Sequence, residues 1–224
     1  MSELLWMIYP GIGVGSAMLA AEQEWGILRI VELPYWLTFV LAIVLLDLGH
    51  YVIHYLFHRV PFLWRMHRLH HSDPDFDFST GVRFHPFEAV LEYGANLAVV
   101  LLVGPPLPAV LVFAFTYVLT TYWVHGNIRM PVGWDRALRR VFVTPDMHRT
   151  HHSENVLETN SNYGGMFSLW DRLFGNYVDE PERGHDGMVI GLREFRALRD
   201  IEMGGMLMNP LLGSPVARVS TSRV

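Results

Sequence analysis

The sequence predicts an all-α integral membrane protein of about four transmembrane helices, with a cytoplasmic helical cap that carries a histidine-rich two-metal site. Three observations predict it. The chain is 51% hydrophobic and only 17% charged over 224 residues, less charge than a soluble domain of this size carries. Apolar stretches of membrane length recur along it. Of its 12 histidines, 11 fall between His50 and His152, a concentration that a random surface scatter does not produce.

The elements follow in chain order. Residues 4–21 carry no charge and lack the basic start of a signal peptide, so they read as a retained membrane segment. The small residues Gly11, Gly13 and Gly15 suit helix–helix contact there. Residues 33–57 form a second segment whose one charge is Asp47. Residues 91–103 and 107–124 are separated by Gly104, Pro105 and Pro106, which cannot continue a helix. Both are short for a span of about 20 residues, so a tight hairpin with tilted or extended ends is expected. Arg29 is the sole basic residue between the first two segments, and the other arginines lie in residues 57–91 or after Val124. The positive-inside bias therefore places those two regions, and the histidines with them, in the cytoplasm. After about Gly204 the chain is rich in Met, Gly and Ser, which predicts a peripheral tail.

Composition also excludes. With no cysteine, disulfides, thiolate metal sites and iron–sulfur clusters are ruled out. A net charge of -5 gives no reason to expect a nucleic-acid partner.

The histidines have ligand spacing. His50, His54 and His58 are four apart, with Asp47 seven before His54, so all four share one stripe of a helix. Ionisable groups inside an apolar helix are costly and are usually functional, and the stripe alone fits a proton relay as well as a metal site. Two further clusters break the tie. His67, His70 and His71 form one H-x-x-H-H; His148, His151 and His152 form another. Residues three or four apart share a helix face, while an adjacent histidine points about 100° away and reaches a neighbouring metal. Eight or nine imidazoles suffice for two metals, where one zinc needs about four ligands. Asp47, Glu88 and Asp146 are the candidate anions to offset metal charge and orient the rings, Asp47 first because it shares the helix face.

At this point the residues resemble a family. DLGHYVIHYLFHRVPFLWRMHRLHHS (residues 47–72), RFHPFE (83–88), VHGN (124–127), TPDMHRTHHS (144–153) and NSNYGGMFSLWDRLFGNY (160–177) are similar, in this order, to the fatty acid hydroxylase/sterol desaturase superfamily of membrane di-iron enzymes. The resemblance spans about residues 35–200 of a single membrane domain, with residues 1–34 as an N-terminal segment and loop and 201–224 as the tail. It implies two iron ions held by His54, His58, His67, His70, His71, His148, His151 and His152, with His125 as a ninth ligand. His85 matches a family histidine whose ligand role is less definite. His50 stands where the family often has an aromatic residue, which suggests a supporting position.

The implied activity is O2-dependent hydroxylation of an unactivated C–H bond in a membrane lipid, with lipid or sterol desaturation as the alternative outcome. No fused cytochrome b5 domain is present, so the implied electron donor is a separate protein, of cytochrome b5 or ferredoxin type, served by an NAD(P)H reductase. Two rival readings are weaker. A carotenoid hydroxylase-type enzyme typically has four residues between its first two histidines, where His54 and His58 have three. A metal transporter or store would string its ligands across the membrane instead of gathering them at one face.

Overall fold

Apolar runs broken by proline and glycine give this chain its architecture. The computed structural model describes residues 2–213, with side chains from Gly11 onward apart from Ile12. The helices are α1 (Ser2–Glu22), α2 (Ile27–Ile30), α3 (Tyr35–Arg59), α4 (Pro61–His71), α5 (Pro86–Val103), α6 (Leu107–Val124) and α7 (Val132–Leu138), then α8 (Pro145–His151), α9 (Val156–Thr159), α10 (Leu169–Leu173), α11 (Gly184–Gly187), α12 (Leu198–Ile201) and α13 (Met203–Met208). Two 3-10 turns, Thr80–Val82 and Asn209–Leu211, complete them. The chain is therefore all-helical among the described residues, relieved by two isolated bridges, Phe142 with Phe167 and Ser153 with Ile190.

Three helices, α3, α5 and α6, are long and apolar enough to cross a membrane. The first expected segment forms α1, which packs on α5 and α6; the side chains of its first half lie outside the described residues. The expected hairpin is longer than the hydropathy suggested. α5 starts at Pro86 and, like α6, has 18 residues, about 27 Å of helix. Its first turns carry Glu88 and Glu92, which line an internal cavity beside the histidines and so do not interrupt the span. Gly104 ends α5 in the left-handed region (φ 66°) with its backbone against Trp25 and Gly26 (φ 109°). The α1–α3 connection and the α5–α6 turn thus meet at one end of the bundle.

The histidines lie at the other end. α3 finishes on His58, α5 begins beside His85 and α6 finishes against His125. Between α3 and α4 there is one residue, the extended Val60, and Pro61 then opens α4 with a φ suited to a helix start. That sharp turn folds α4 back beside α3. Apolar packing is divided among small clusters: Leu46, Val100, Val110 and Phe113 fill the bundle with Ala17 and Met166, while Val124, Val143 and Met147 join α6 to α8.

Of the segment expected as a peripheral tail, residues 214–224 lie outside the described residues, and Asn209 and Leu212 meet α4. Buried Arg68 donates from Nε to Asn209 Oδ1 at 2.9 Å, and from Nη2 to the carbonyl oxygens of Asn209 and, at 2.6 Å, Leu212. Asn209 is fully buried.

Candidate metal centre

Helix periodicity sorts the histidines. α3 presents His54 and His58, α4 presents His67 and His71, and α8 presents His151 to one common point. His70 of α4, His125 at the end of α6, and His148 and His152 of α8 converge on a second point. Within each group one ring nitrogen from every residue lies within 4.8 Å of all the others. Each H-x-x-H-H is therefore shared: its first and last histidines, one turn apart, enter one group, and its middle histidine enters the other. The groups abut, His71 stacking on His152 with ring centroids 4.4 Å apart.

Five rings are oriented by acceptors that fix their tautomer. Nδ1 of His54 donates to Tyr163 O (2.8 Å), of His70 to Thr80 O (2.9 Å), of His125 to Thr121 O (2.8 Å) and of His151 to Ser161 O (2.6 Å). A carbonyl only accepts, so each of these Nδ1 atoms holds the proton and each Nε2 presents a lone pair. His67 Nδ1 donates to Glu88 Oε1 at 2.5 Å, leaving its Nε2 without a hydrogen-bond partner.

The lone pairs converge. His54 Nε2 faces His151 Nε2 at 3.1 Å, and His125 Nε2 faces His70 Nε2 at 3.4 Å and His148 Nε2 at 3.0 Å. Neither His54 nor His151 has a proton left to share, and the same holds for His125 and His70. Bare lone pairs at this distance repel unless a cation lies between them. Two imidazole nitrogens about 2.1 Å from one ion are themselves about 3.0–3.4 Å apart, so the spacing fits neighbouring ligands in a coordination shell. Both ring nitrogens of His58, His71 and His152 are buried with no hydrogen-bond partner, which a cation would also satisfy. Burial holds the rings neutral, as ligation requires: it pushes His67 down to about 3 and His125 to about 4, and His70, His71, His148, His151 and His152 well below their ordinary value. The arrangement could hold metal.

The remaining expected residues stand elsewhere. Asp47, ranked first among the anions, is engaged by a loop. Its carboxylate accepts Met166 N–H (3.1 Å), Phe167 N–H (3.2 Å) and Trp170 Nε1–H (2.8 Å), so it fastens the loop before α10 to α3. It lies on the helix face of His50 and His54, two turns before His54. Asp146 pairs with Arg149 at 2.9 Å. Glu88 is the carboxylate that reaches a cluster histidine. His50, one turn beyond His54, packs its ring on Phe113 and Tyr117, with centroids 5.3 and 4.2 Å away. His85 caps α5, accepting Phe87 N–H at 3.2 Å. His185 faces Glu180 at 3.2 Å, far from both groups in role. Asp171 accepts Tyr163 N–H (2.7 Å) and Gly164 N–H (2.9 Å).

Sequence reasoning missed the carbonyls that aim the rings. Ser161 O and Tyr163 O serve two histidines from either side of Asn162, whose backbone is left-handed (φ 51°). Asn162 is held there by Met147 O, Val178 O and Val178 N–H. The asparagine-rich NSNYG stretch is the available signal, since asparagine tolerates that conformation.

The family model described as fatty acid hydroxylase matches residues 39–176. The chain is 30% identical over 201 residues to alkylglycerol monooxygenase of Xenopus tropicalis, covering 87% of this chain and 42% of that protein. It is 36% identical over 152 residues to the ornithine lipid hydroxylase OlsE of Rhizobium tropici, covering 66% and 44%. It is 26% identical over 157 residues to methylsterol monooxygenase 1 of Gallus gallus, covering 64% and 48%. The chain thus spans less than half the length of these relatives. No solved structure matches it.

Proposed function

The chain belongs to the fatty acid hydroxylase family, and from that premise we propose that it is a membrane di-iron monooxygenase that hydroxylates an unactivated C–H bond of a lipid. One observation carries the reading: nine buried or half-buried imidazoles fall into two abutting groups whose lone pairs converge beside an internal cavity. Its relatives named for hydroxylation or monooxygenation of alkylglycerol, ornithine lipid and methylsterol support the reaction class.

His54, His58, His67, His71 and His151 would hold one iron, and His70, His125, His148 and His152 the other. The chemistry supplied by a bound pair is the conversion of C–H, O2, two electrons and two protons to C–OH and water. The chain's own contribution is placement. Backbone carbonyls at positions 80, 121, 161 and 163 fix four rings before any metal arrives, and Glu88 adds one negative charge to an otherwise neutral set. Ile53, Phe57 and Val124 wall the cavity that borders His54, His70 and His125, where an apolar chain would exclude water from the reacting carbon.

α1 would be a fourth span: it leads to the loop that meets the α5–α6 turn, as an up-and-down bundle requires. The histidine end would face the cytoplasm, following the arginine bias, within reach of a soluble or membrane-bound electron donor.

Metal analysis of the purified chain is the test. About two irons per chain, with O2 uptake and a hydroxylated lipid in expressing cells, is the expected result. A single zinc with no change in any lipid would overturn the reading.

A further inference from the structure

Asp47 and Asp171 are buried carboxylates that the proposed chemistry leaves unused, and both serve one stretch of backbone. Asp171 accepts the amides of Tyr163 and Gly164, and Asp47 those of Met166 and Phe167. Ser168 N–H donates to Val141 O at 3.0 Å, and Met166 O accepts Val143 N–H at 3.0 Å. These amides of a non-helical segment are therefore satisfied by protein groups and need no water. Irregular backbone is tolerated at membrane depth on that condition.

α3 measures the depth. Tyr55, Tyr51 and Asp47 stand one turn apart down one face of α3, and each meets this segment. The Tyr55 ring packs edge-on against Tyr163, with centroids 5.3 Å apart. Tyr51 stacks on Phe174 at 5.4 Å and its hydroxyl oxygen accepts from Asn176 Nδ2 at 2.7 Å. Asp47 holds Met166, Phe167 and the Trp170 indole. The chain thus runs along α3 from Tyr163 to the level of Asp47 and returns by Phe174 and Asn176. A hydrocarbon core of about 30 Å counted from Tyr35 ends near Tyr55, and α3 itself ends at Arg59, so Asp47 lies about 12–18 Å inside that face of the bilayer. α6 agrees. Met166 joins the apolar cluster of Val110 and Phe113, and Phe113 lies about 16 Å along α6 from Val124.

The outer side of the segment is apolar. Leu169 and Leu173, one turn apart on α10, are exposed, and so are Phe174, Val141 and Phe142. Phe142 bridges to Phe167, so these side chains are neighbours. Single exposed apolar residues are ordinary, whereas a group marks a surface with a partner. The two charges of α10 both have protein partners. Asp171 holds its two amides, and Arg172 donates to Arg139 O at 3.0 Å with its guanidinium over the Tyr177 ring.

We propose that residues 163–174 form a re-entrant membrane element: they descend into the bilayer along α3, turn at the level of Asp47 and rise again, with Leu169, Leu173 and Phe174 against lipid acyl chains. The inference rests on α3 and α6 crossing the membrane, and is independent of the side on which the histidines lie. The histidine cap is then partly immersed. The same element aims His54 through Tyr163 O and walls the histidine cavity with Gly164 and Gly165, so lipid packs behind part of the site.

Depth-dependent quenching tests this. The chain has no cysteine, so bimane can be attached singly at Leu169→Cys, Leu173→Cys, Phe115→Cys and Leu157→Cys in the full metal-loaded chain. Leu173 is 69% exposed, Phe115, midway along α6, is 68% exposed, and Leu157 is 78% exposed in the cap. The variants are placed in phosphatidylcholine vesicles with brominated acyl chains, or in plain ones with iodide on both sides. Leu169→Cys and Leu173→Cys should lose fluorescence to brominated chains, as Phe115→Cys does, and resist iodide, which should quench Leu157→Cys. The two leucines are replaced separately, so one variant that fails to fold leaves the other to report. Iodide quenching at both leucine positions, with Phe115→Cys still quenched by lipid, would put the element in water and overturn the inference while the spans stand. Iodide quenching at Phe115→Cys as well would remove the spans and the inference together. Protection of both leucine positions from both quenchers, relieved by diluting the protein in lipid, would assign the surface to a second copy of the chain and overturn the lipid contact.

Discussion

Glu88 and Asp47 are both buried carboxylates on apolar helices, and their partners give them different duties. Glu88 meets His67 at 2.5 Å; Asp47 gathers three donors from the loop at 166–170. Glu88→Gln keeps the volume and removes the charge, so metal affinity should fall about 10–100-fold, read by competition with a chelator. Asp47→Asn has one acceptor oxygen and an amide that faces donors. It should lower unfolding stability by about 1–3 kcal/mol in a thermal melt while leaving metal affinity near that of the parent. The reverse pattern would return Asp47 to the place the helix stripe suggested for it. At this scale the ring nitrogens were legible, because histidine spacing survives in one dimension. The partner choices of Asp47 and Glu88 were not, because they depend on which distant segment arrives beside each carboxylate. The carbonyls of Thr80, Thr121, Ser161 and Tyr163 carry no residue signature at all, since every residue has one.

At the scale of the element, α4 is the informative helix. It carries His67 and His71 one turn apart on one face, His70 on the next, and Arg68 across the helix from His70, where Asn209 and Leu212 hold it. His70→Ala and His71→Ala therefore alter neighbouring residues but different groups. Each should cost about one iron per chain, and the iron that remains should differ between the two variants in its spectroscopic signature. Identical residual spectra would show that the triplet serves a single site. The division of labour between adjacent histidines was readable from 100° per residue. The start of α5 was not: its first turns hold Glu88 and Glu92, and hydropathy cannot tell a charge that faces an internal cavity from one that faces lipid.

For the whole molecule, the assignment of sides is the claim most open to direct test. The chain has no cysteine, so single thiols can be placed without background. Ile30, 80% exposed in the α1–α3 connection, and Leu157, 78% exposed in the histidine-end cap, are suitable positions. In intact cells a membrane-impermeant reagent should label Ile30→Cys, and should label Leu157→Cys only after permeabilisation. Labelling of both from outside would refute the cytoplasmic cap. The all-helical fold and the three helices long and apolar enough to cross a membrane were legible from hydropathy, and so was the end of the bundle at which the histidines gather. The seating of residues 203–212 on α4 was not, because a stretch of Met, Gly and Leu gives no sign of a single arginine waiting for its carbonyls.

The facing Nε2 atoms have one more consequence. Where most proteins of this size place an oil-like core, the cap of this one places imidazoles whose lone pairs point at one another, and only a bound cation turns that repulsion into cohesion. On the proposed reading, metal would contribute to folding as well as to chemistry, growing with the logarithm of its free concentration. A cell short of iron would hold fewer copies of this protein, cleared as unfolded chains, and not a reserve of idle enzyme awaiting supply.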